Sequence, residues 1–87
     1  MDISVVMACR NSNKSALLMA VNSILNQSCI DFELIIVDDG STDGAGEVIK
    51  QYENNSKVKL IYQKNAGIAC ARNAGIAVAN GEYVICI

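Results

Sequence analysis

The stretch Phe32-Glu-Leu-Ile-Ile-Val-Asp-Asp-Gly-Ser-Thr-Asp-Gly44 decides the fold of this chain. Residues 32–37 are apolar at every position but Glu33, the pattern of a strand covered on both faces. Two carboxylates, Asp38 and Asp39, follow at once. Residues 38–44 read as a turn, made of the Asp, Ser and Gly that turns favour. Ala45, Val48, Ile49 and Tyr52 then recur at i, i+3, i+4 and i+7, one face of a helix. A strand that stops at acids and turns into a helix is the kind of corner at which a parallel α/β sheet binds its ligands.

Working outward, residues 3–8 form a short apolar run that predicts another buried parallel strand. Cys9-Arg-Asn-Ser-Asn13 breaks it, and Leu17, Val21, Ile24 and Leu25 mark a helix whose first turn Ser12 or Asn13 can cap. After the second helix, Val58, Leu60 and Tyr62 alternate with Lys59 and Ile61, a strand with one wetter side and so an edge strand. Residues 63–67 are a loop. Residues 68–79 are rich in alanine, predicting a helix able to lie close on the sheet, with Asn80-Gly81 as its stop. Residues 82–87 begin a fourth strand. The order βαβαβαβ with right-handed crossovers predicts an α/β fold, a Rossmann-like parallel sheet in the order 3-2-1-4. Its switch point lies between strands 1 and 4.

The composition narrows the chemistry. The chain has 87 residues, 52% of them hydrophobic and 18% charged, with a net charge of −2. That is one small domain, not a disordered segment, and it carries no basic footprint for nucleic acid. No apolar run approaches the ~20 residues of a membrane span, and Met-Asp-Ile does not open a signal peptide. The expected place is the cytoplasm, or the cytoplasmic face of a membrane. There is no histidine, and Cys9, Cys29, Cys70 and Cys86 form no CxxC pair. A zinc site or a histidine-based triad is therefore not expected, and the cysteines read as small buried hydrophobes.

Several chemistries fail on spacing. Asp39, Ser41, Asp43 and Gly44 mimic the start of a calcium loop, but Lys50 stands where its bidentate Glu belongs. Gly44-Ala-Gly46 lacks the third glycine of a dinucleotide fingerprint, and no P-loop occurs. A receiver-type acceptor aspartate needs acids from a second strand, and strand 1 ends in Ala-Cys-Arg. Two readings of the acidic pair stay open. One or both acids serve the N-terminus of helix 2, where Asp43 is better placed, or one of them accepts an N–H from a ligand base. Arg72 is either part of a solvated helix face or a forked cation for a diphosphate. Asn65 and Gly67 are either a plain turn or a source of N–H groups for that diphosphate.

The segments taken together are more specific than any one. Residues 3–11, Asn22-Ser-Ile-Leu-Asn-Gln27, residues 32–43, Asn65-Ala-Gly67, Ala71-Arg-Asn-Ala-Gly75 and Gly81-Glu-Tyr-Val resemble the N-terminal half of a family-2 glycosyltransferase of the A-type fold. The resemblance covers essentially the whole chain and implies an incomplete domain, residues 1–87, that binds a nucleotide-sugar donor, most often a UDP-sugar. It matches Asp39 to the residue that accepts from uracil, Ala8 to the strand end whose backbone faces the base, and Arg72 to the family's donor-side arginine. Asn65 and Gly67 fall in the same donor-binding segment. Arg10 stands where the family commonly has an aromatic residue, and a guanidinium also stacks on a base. The chemistry implied is inverting transfer to an unidentified acceptor, assisted by Mg²⁺ or Mn²⁺. The metal-binding Asp-x-Asp and the catalytic base are expected beyond Ile87, so no catalytic or metal residue is expected here. The alternative is a non-catalytic nucleotide-binding or interaction fragment. Strand 4 is expected to leave an open sheet edge through which the piece self-associates.

Overall fold

The computed structural model describes residues 2–27 and 31–87. Its elements are β1 (Ile3–Cys9), α1 (Lys14–Leu25), β2 (Phe32–Asp39), α2 (Ala45–Lys50), β3 (Val58–Gln63), α3 (Ile68–Ala77) and β4 (Tyr83–Cys86). The four strands pair in parallel in the order β3-β2-β1-β4, as predicted. β2 is buried at all eight positions, which is why its sequence runs apolar without alternating.

The sheet carries two cores. On one face α1 and α2 bring Leu17, Val21, Ala45 and Ile49 onto Met7, Cys9, Leu34 and Ile36. Ile24, Leu25, Val48 and Tyr52 pack around that cluster, so the predicted helical faces are the ones buried. On the other face α3 lays Ala71 against Val6, Ile35 and Val37. The close approach depends on small residues: a Cβ at Gly75 would collide with Val6. The alanine-rich sequence of α3 is thus a packing requirement as well as a helix former.

Local details differ from expectation in instructive ways. β2 does not stop at Val37. Asp38 and Asp39 are strand residues, paired with Tyr62 and Gln63 of β3, because each carboxylate finds donors close at hand. α2 ends at Lys50, and Tyr52 lies in the following turn, its hydroxyl donating to Asn22 Oδ1 at 2.8 Å. Asn13, not Ser12, caps α1, accepting from the Ala16 N–H at 3.0 Å. The side of β3 carrying Lys59 and Gln63 is not simply wet, since both reach acids of β2. Of the described cysteines, only Cys9 is a buried hydrophobe. Cys70 and Cys86 are exposed, and Cys29 lies outside the described residues. The cause for Cys86 is plain: β4 is exposed at all four positions, with one edge unpaired. No helix among the described residues is long and apolar enough to cross a membrane.

Candidate functional site

Consecutive strand residues point to opposite faces of a sheet, and this separates the two acids at the end of β2. Asp38 faces α2. Its Oδ1 accepts from the Ser41 N–H at 3.2 Å and holds the turn, while a Cβ at Gly46 would lie 2.5 Å from its Oδ2. Asp43 accepts from the Ala45 N–H at 3.0 Å and so serves the start of α2. Asp39 faces the α3 side. Its Oδ1 accepts from Gln63 Nε2 and from the Ala66 N–H, both at 2.8 Å, and its Oδ2 accepts from the Gly67 N–H at 3.1 Å.

These donors set the charge of Asp39. The Gln63 amide and then the Ala66 N–H hold its carboxyl below the usual range. Burial works against them, and the Gly67 N–H and the positive charge of Arg10 add to the lowering. Asp39 is therefore an anion at neutral pH, fixed in orientation. Cys9, on the other face, is the reverse case. Burial, then the negative charges of Asp38 and Asp43, push its thiol up to about 11, so it is no nucleophile at neutral pH. Tyr62 is also pushed up, by burial first and then by Asp38, Glu53 and Cys9, and its hydroxyl donates to the Gly46 carbonyl.

The loops at the carboxyl ends of β1, β2 and β3 are laced together around this point. Asn11, at a positive φ of 50°, donates its N–H to Ser41 Oγ at 2.9 Å and accepts the Thr42 N–H on Oδ1 at 2.8 Å. An asparagine tolerates that left-handed conformation better than most residues. Gly40, at φ 73°, lets the next loop in: a Cβ there would lie 2.7 Å from the Asn65 backbone nitrogen. Asn65 is thus brought against the end of β2 through its backbone.

The expected site residues fall out as follows. Asp39, Asn65 and Gly67 are brought together, with Arg10 close enough for its charge to act on Asp39. Gly67 enters in an unexpected way, because its N–H is taken up by Asp39. Ala8 is next to last in β1, paired with Val37. Arg72 is exposed on α3, and among the described residues no hydrogen bond or ion pair ties it to the others. Two residues were not singled out from the sequence, Gln63 and Asn11. Gln63 was legible only through strand register, which places it opposite Asp39.

A second acidic centre also went unseen. Glu33, only 2% exposed, accepts on Oε2 from the Ser4 hydroxyl and the Asn80 N–H, both at 2.6 Å. Its Oε1 meets the Lys59 ammonium at 2.9 Å as an ion pair without an aligned hydrogen bond. Gly81 donates its N–H to Ser4 Oγ at 2.8 Å, and a Cβ there would lie 2.6 Å from the Ser4 nitrogen. This cluster sits at the opposite end of the strands. Among the described residues no group of three or more His, Cys, Asp or Glu could hold a metal ion. The side chains present therefore do not fit the divalent cation that the resemblance implies.

Comparison with known proteins agrees with this fold. The family model for glycosyl transferase family 2 matches residues 4–87. Glycosyltransferase alr2836 of Nostoc sp. is 46% identical over 87 residues, covering 97% of this chain and 26% of that protein. The cholesterol galactosyltransferase of Borreliella burgdorferi is 39% identical over 84 residues, covering 95% of this chain and 23% of that protein. The crystal structure of S. aureus TarS 1-349 in complex with UDP superposes with a TM-score of 0.84 at 27% identity, over 100% of this chain and 27% of that one. The chain spans about a quarter of the length of each. With four parallel strands in the order 3-2-1-4 and a family match over nearly its whole length, this chain belongs to glycosyl transferase family 2.

Proposed function

We propose that residues 1–87 form the nucleotide-binding portion of a glycosyltransferase that takes a UDP-sugar and transfers the sugar, with inversion, to an acceptor. The observation that carries this reading is the Asp39 carboxylate, held ionised and oriented at the carboxyl end of β2 by three donors. An ionised carboxylate only accepts, with about four acceptor positions on its two oxygens. Uracil offers N3–H to such a group. The UDP complex of TarS, on the same fold, supports the choice of nucleotide.

In this reading the chain's own residues bind and orient. Asp39 takes the base N–H, the Ala8 backbone borders the base, and Arg10 stacks on it or balances its partner's charge. Asn65 and Gly67 fix the loop beneath it, and Arg72 offers a forked donor to the diphosphate. The Mg²⁺ or Mn²⁺ that the resemblance implies belongs to acids other than those described.

The test is a titration of UDP into the full-length protein, followed by amide resonances. Ala8, Asp39 and Arg72 are expected to shift, and Asp39→Ala is expected to abolish the shifts. Three unmoved signals at saturating UDP would remove the assignment. The same reading leaves the apolar edge of β4 open, with Tyr83, Val84, Ile85 and Ile87 exposed. The 87-residue chain alone is expected to self-associate there, and a monodisperse monomer by light scattering at high concentration would count against it.

A further inference from the structure

Asn11 ties the loop after β1 to the loop after β2. Its N–H donates to Ser41 Oγ at 2.9 Å, and its Oδ1 accepts the Thr42 N–H at 2.8 Å. The two bonds run in opposite senses between the same two loops, so they fix rotation as well as separation, where one bond would leave a pivot. Ser41 is itself anchored, because its N–H donates to Oδ1 of the buried Asp38. Asn11 also carries the turn, since at φ 50° its backbone leaves the extended path of β1. Asparagine takes this conformation more readily than most residues and brings a side-chain acceptor with it. Arg10 stands immediately before this tie. β1 ends with Cys9 paired to Asp38, so Arg10 follows β1 where Asp39 ends β2. It is exposed, and among the described residues no hydrogen bond or ion pair holds its guanidinium. Its charge nonetheless reaches Asp39 and helps to lower that carboxyl. What places Arg10 is therefore its backbone, set on one side by the pairing of β1 and on the other by Asn11.

We infer that Asn11 is a positioning residue for Arg10: its two-bond tie to residues 41 and 42 holds Arg10 at the carboxyl end of the sheet for the nucleotide base. This rests on the reading that Asp39 and Arg10 take the base. Asn11 acts through Arg10 and makes no contact of its own with the nucleotide. A side chain carried on a fixed backbone loses less freedom when the ligand arrives, so the tie is expressed in affinity. The tie also gives Asp38 a bearing on the site from the opposite face of the sheet, through Ser41. The two acids that end β2 thus serve one site by different routes, Asp39 at the base and Asp38 beneath the loop that steadies Arg10.

The experiment measures UDP affinity of the full-length protein by calorimetry. The native sequence is compared with Asp39→Ala, Arg10→Ala, Asn11→Gly and the double variant Arg10→Ala/Asn11→Gly. Glycine keeps the left-handed turn and removes the acceptor for the Thr42 N–H. Arg10→Ala is expected to weaken UDP about tenfold, the worth of a cation held on a π face. Asn11→Gly is expected to weaken UDP about three- to tenfold, the range of one net hydrogen bond. The double variant is expected to lose nothing beyond Arg10→Ala, because a residue that acts through Arg10 then has nothing left to position. A role confined to loop stability would lower the urea midpoint and leave the UDP affinity of folded Asn11→Gly protein native. Ser41→Ala removes the other bond from the opposite loop and is the second variant should Asn11→Gly fail to fold, with the same pattern expected. Losses that add in the double variant, native UDP affinity in the tie variants, or UDP affinity indifferent to Arg10→Ala each overturn this inference. In all three cases UDP binding lost in Asp39→Ala leaves the binding site standing. UDP binding indifferent to Asp39→Ala overturns both.

Discussion

Glu33 and Asp39 are a natural pair for comparison. They lie on one strand, on the same face of it, because an even separation along β2 returns to the same side. Each carboxylate has three partners, each is nearly inaccessible, and each has its pKa lowered by those partners. For Glu33 burial pushes upward first, and Ser4, Asn80 and Lys59 together outweigh it. Local bonding therefore does not distinguish them. What does is the end of the strand. Glu33 lies where parallel strands begin, and its partners come from β1, β3 and the link that enters β4. Asp39 lies where the strands end, among loops, where α/β sheets bind ligands. The same chemistry closes the architecture at one end and, in the proposed function, addresses a ligand at the other.

Removing Glu33 is the strongest way to break that comparison. Glu33→Ala strands the Ser4 hydroxyl, the Asn80 N–H and the Lys59 ammonium at once. A stability loss of about 3 kcal/mol is expected in urea melts, at the low end for a broken buried pair because Lys59 is partly solvated. The fraction that stays folded is expected to bind UDP with unchanged affinity. A specific loss of UDP affinity in well-folded protein would mean that the two ends are not independent. Asp39→Asn is the mirror image. It is expected to cost about 1 kcal/mol of stability but 10–100-fold in UDP affinity, roughly the worth of a hydrogen bond to a charged group. A larger loss of stability than of binding energy would make Asp39 a second architectural acid.

Acid sharpens the contrast further. Both carboxylates have folded-state pKa values below their ordinary values near ~4. The stability they contribute is present above that ordinary value and is lost as pH falls through the lowered folded-state value. Urea midpoints are therefore expected to be level from about pH 5 to 8 and to drop below about pH 4. Glu33→Gln is expected to start lower and to drop less, because the more heavily used group no longer titrates. An identical acid limb in that variant would assign the titration to other carboxylates.

Much of this was legible in the residues, and what was not has a physical cause. Strand and helix order followed from apolar periodicity, and the sheet order from handedness and the need to cover two faces. The division between Asp38 and Asp39 followed from nothing in their identity. It needed the strand to continue through both, which propensity alone opposes, since Asp disfavours strands. Pairing with Tyr62 and Gln63, and donors for each carboxylate, outweighed that preference. Glu33 read as an interruption of an apolar run, because its partners Ser4, Lys59 and Asn80 are 26 to 47 residues away. Gly81 read as a helix stop, yet its role is close approach to Ser4, a contact that only the folded sheet creates. In each case the missing information was long-range register, and the residue type was compatible with a blander local reading.

Lys59 carries the finest test of the comparison. Its side chain is 41% exposed, it donates to the Val78 carbonyl at 3.2 Å, and among the described residues it is the one cation on Glu33. If Glu33 is held mainly by the Ser4 hydroxyl and the Asn80 N–H, the ion pair is an accessory and water replaces the ammonium readily. Lys59→Met keeps the apolar stem against the sheet and removes only the charge. The expected cost is about 1 kcal/mol or less, typical of a pair open to solvent, and it should shrink further in ~1 M salt, where the screening length is only about 3 Å. A cost as large as that of Glu33→Ala, insensitive to salt, would show that the buried acid depends on the charge. Glu33 would then be an ion-paired site, unlike Asp39, whose immediate donors are all uncharged.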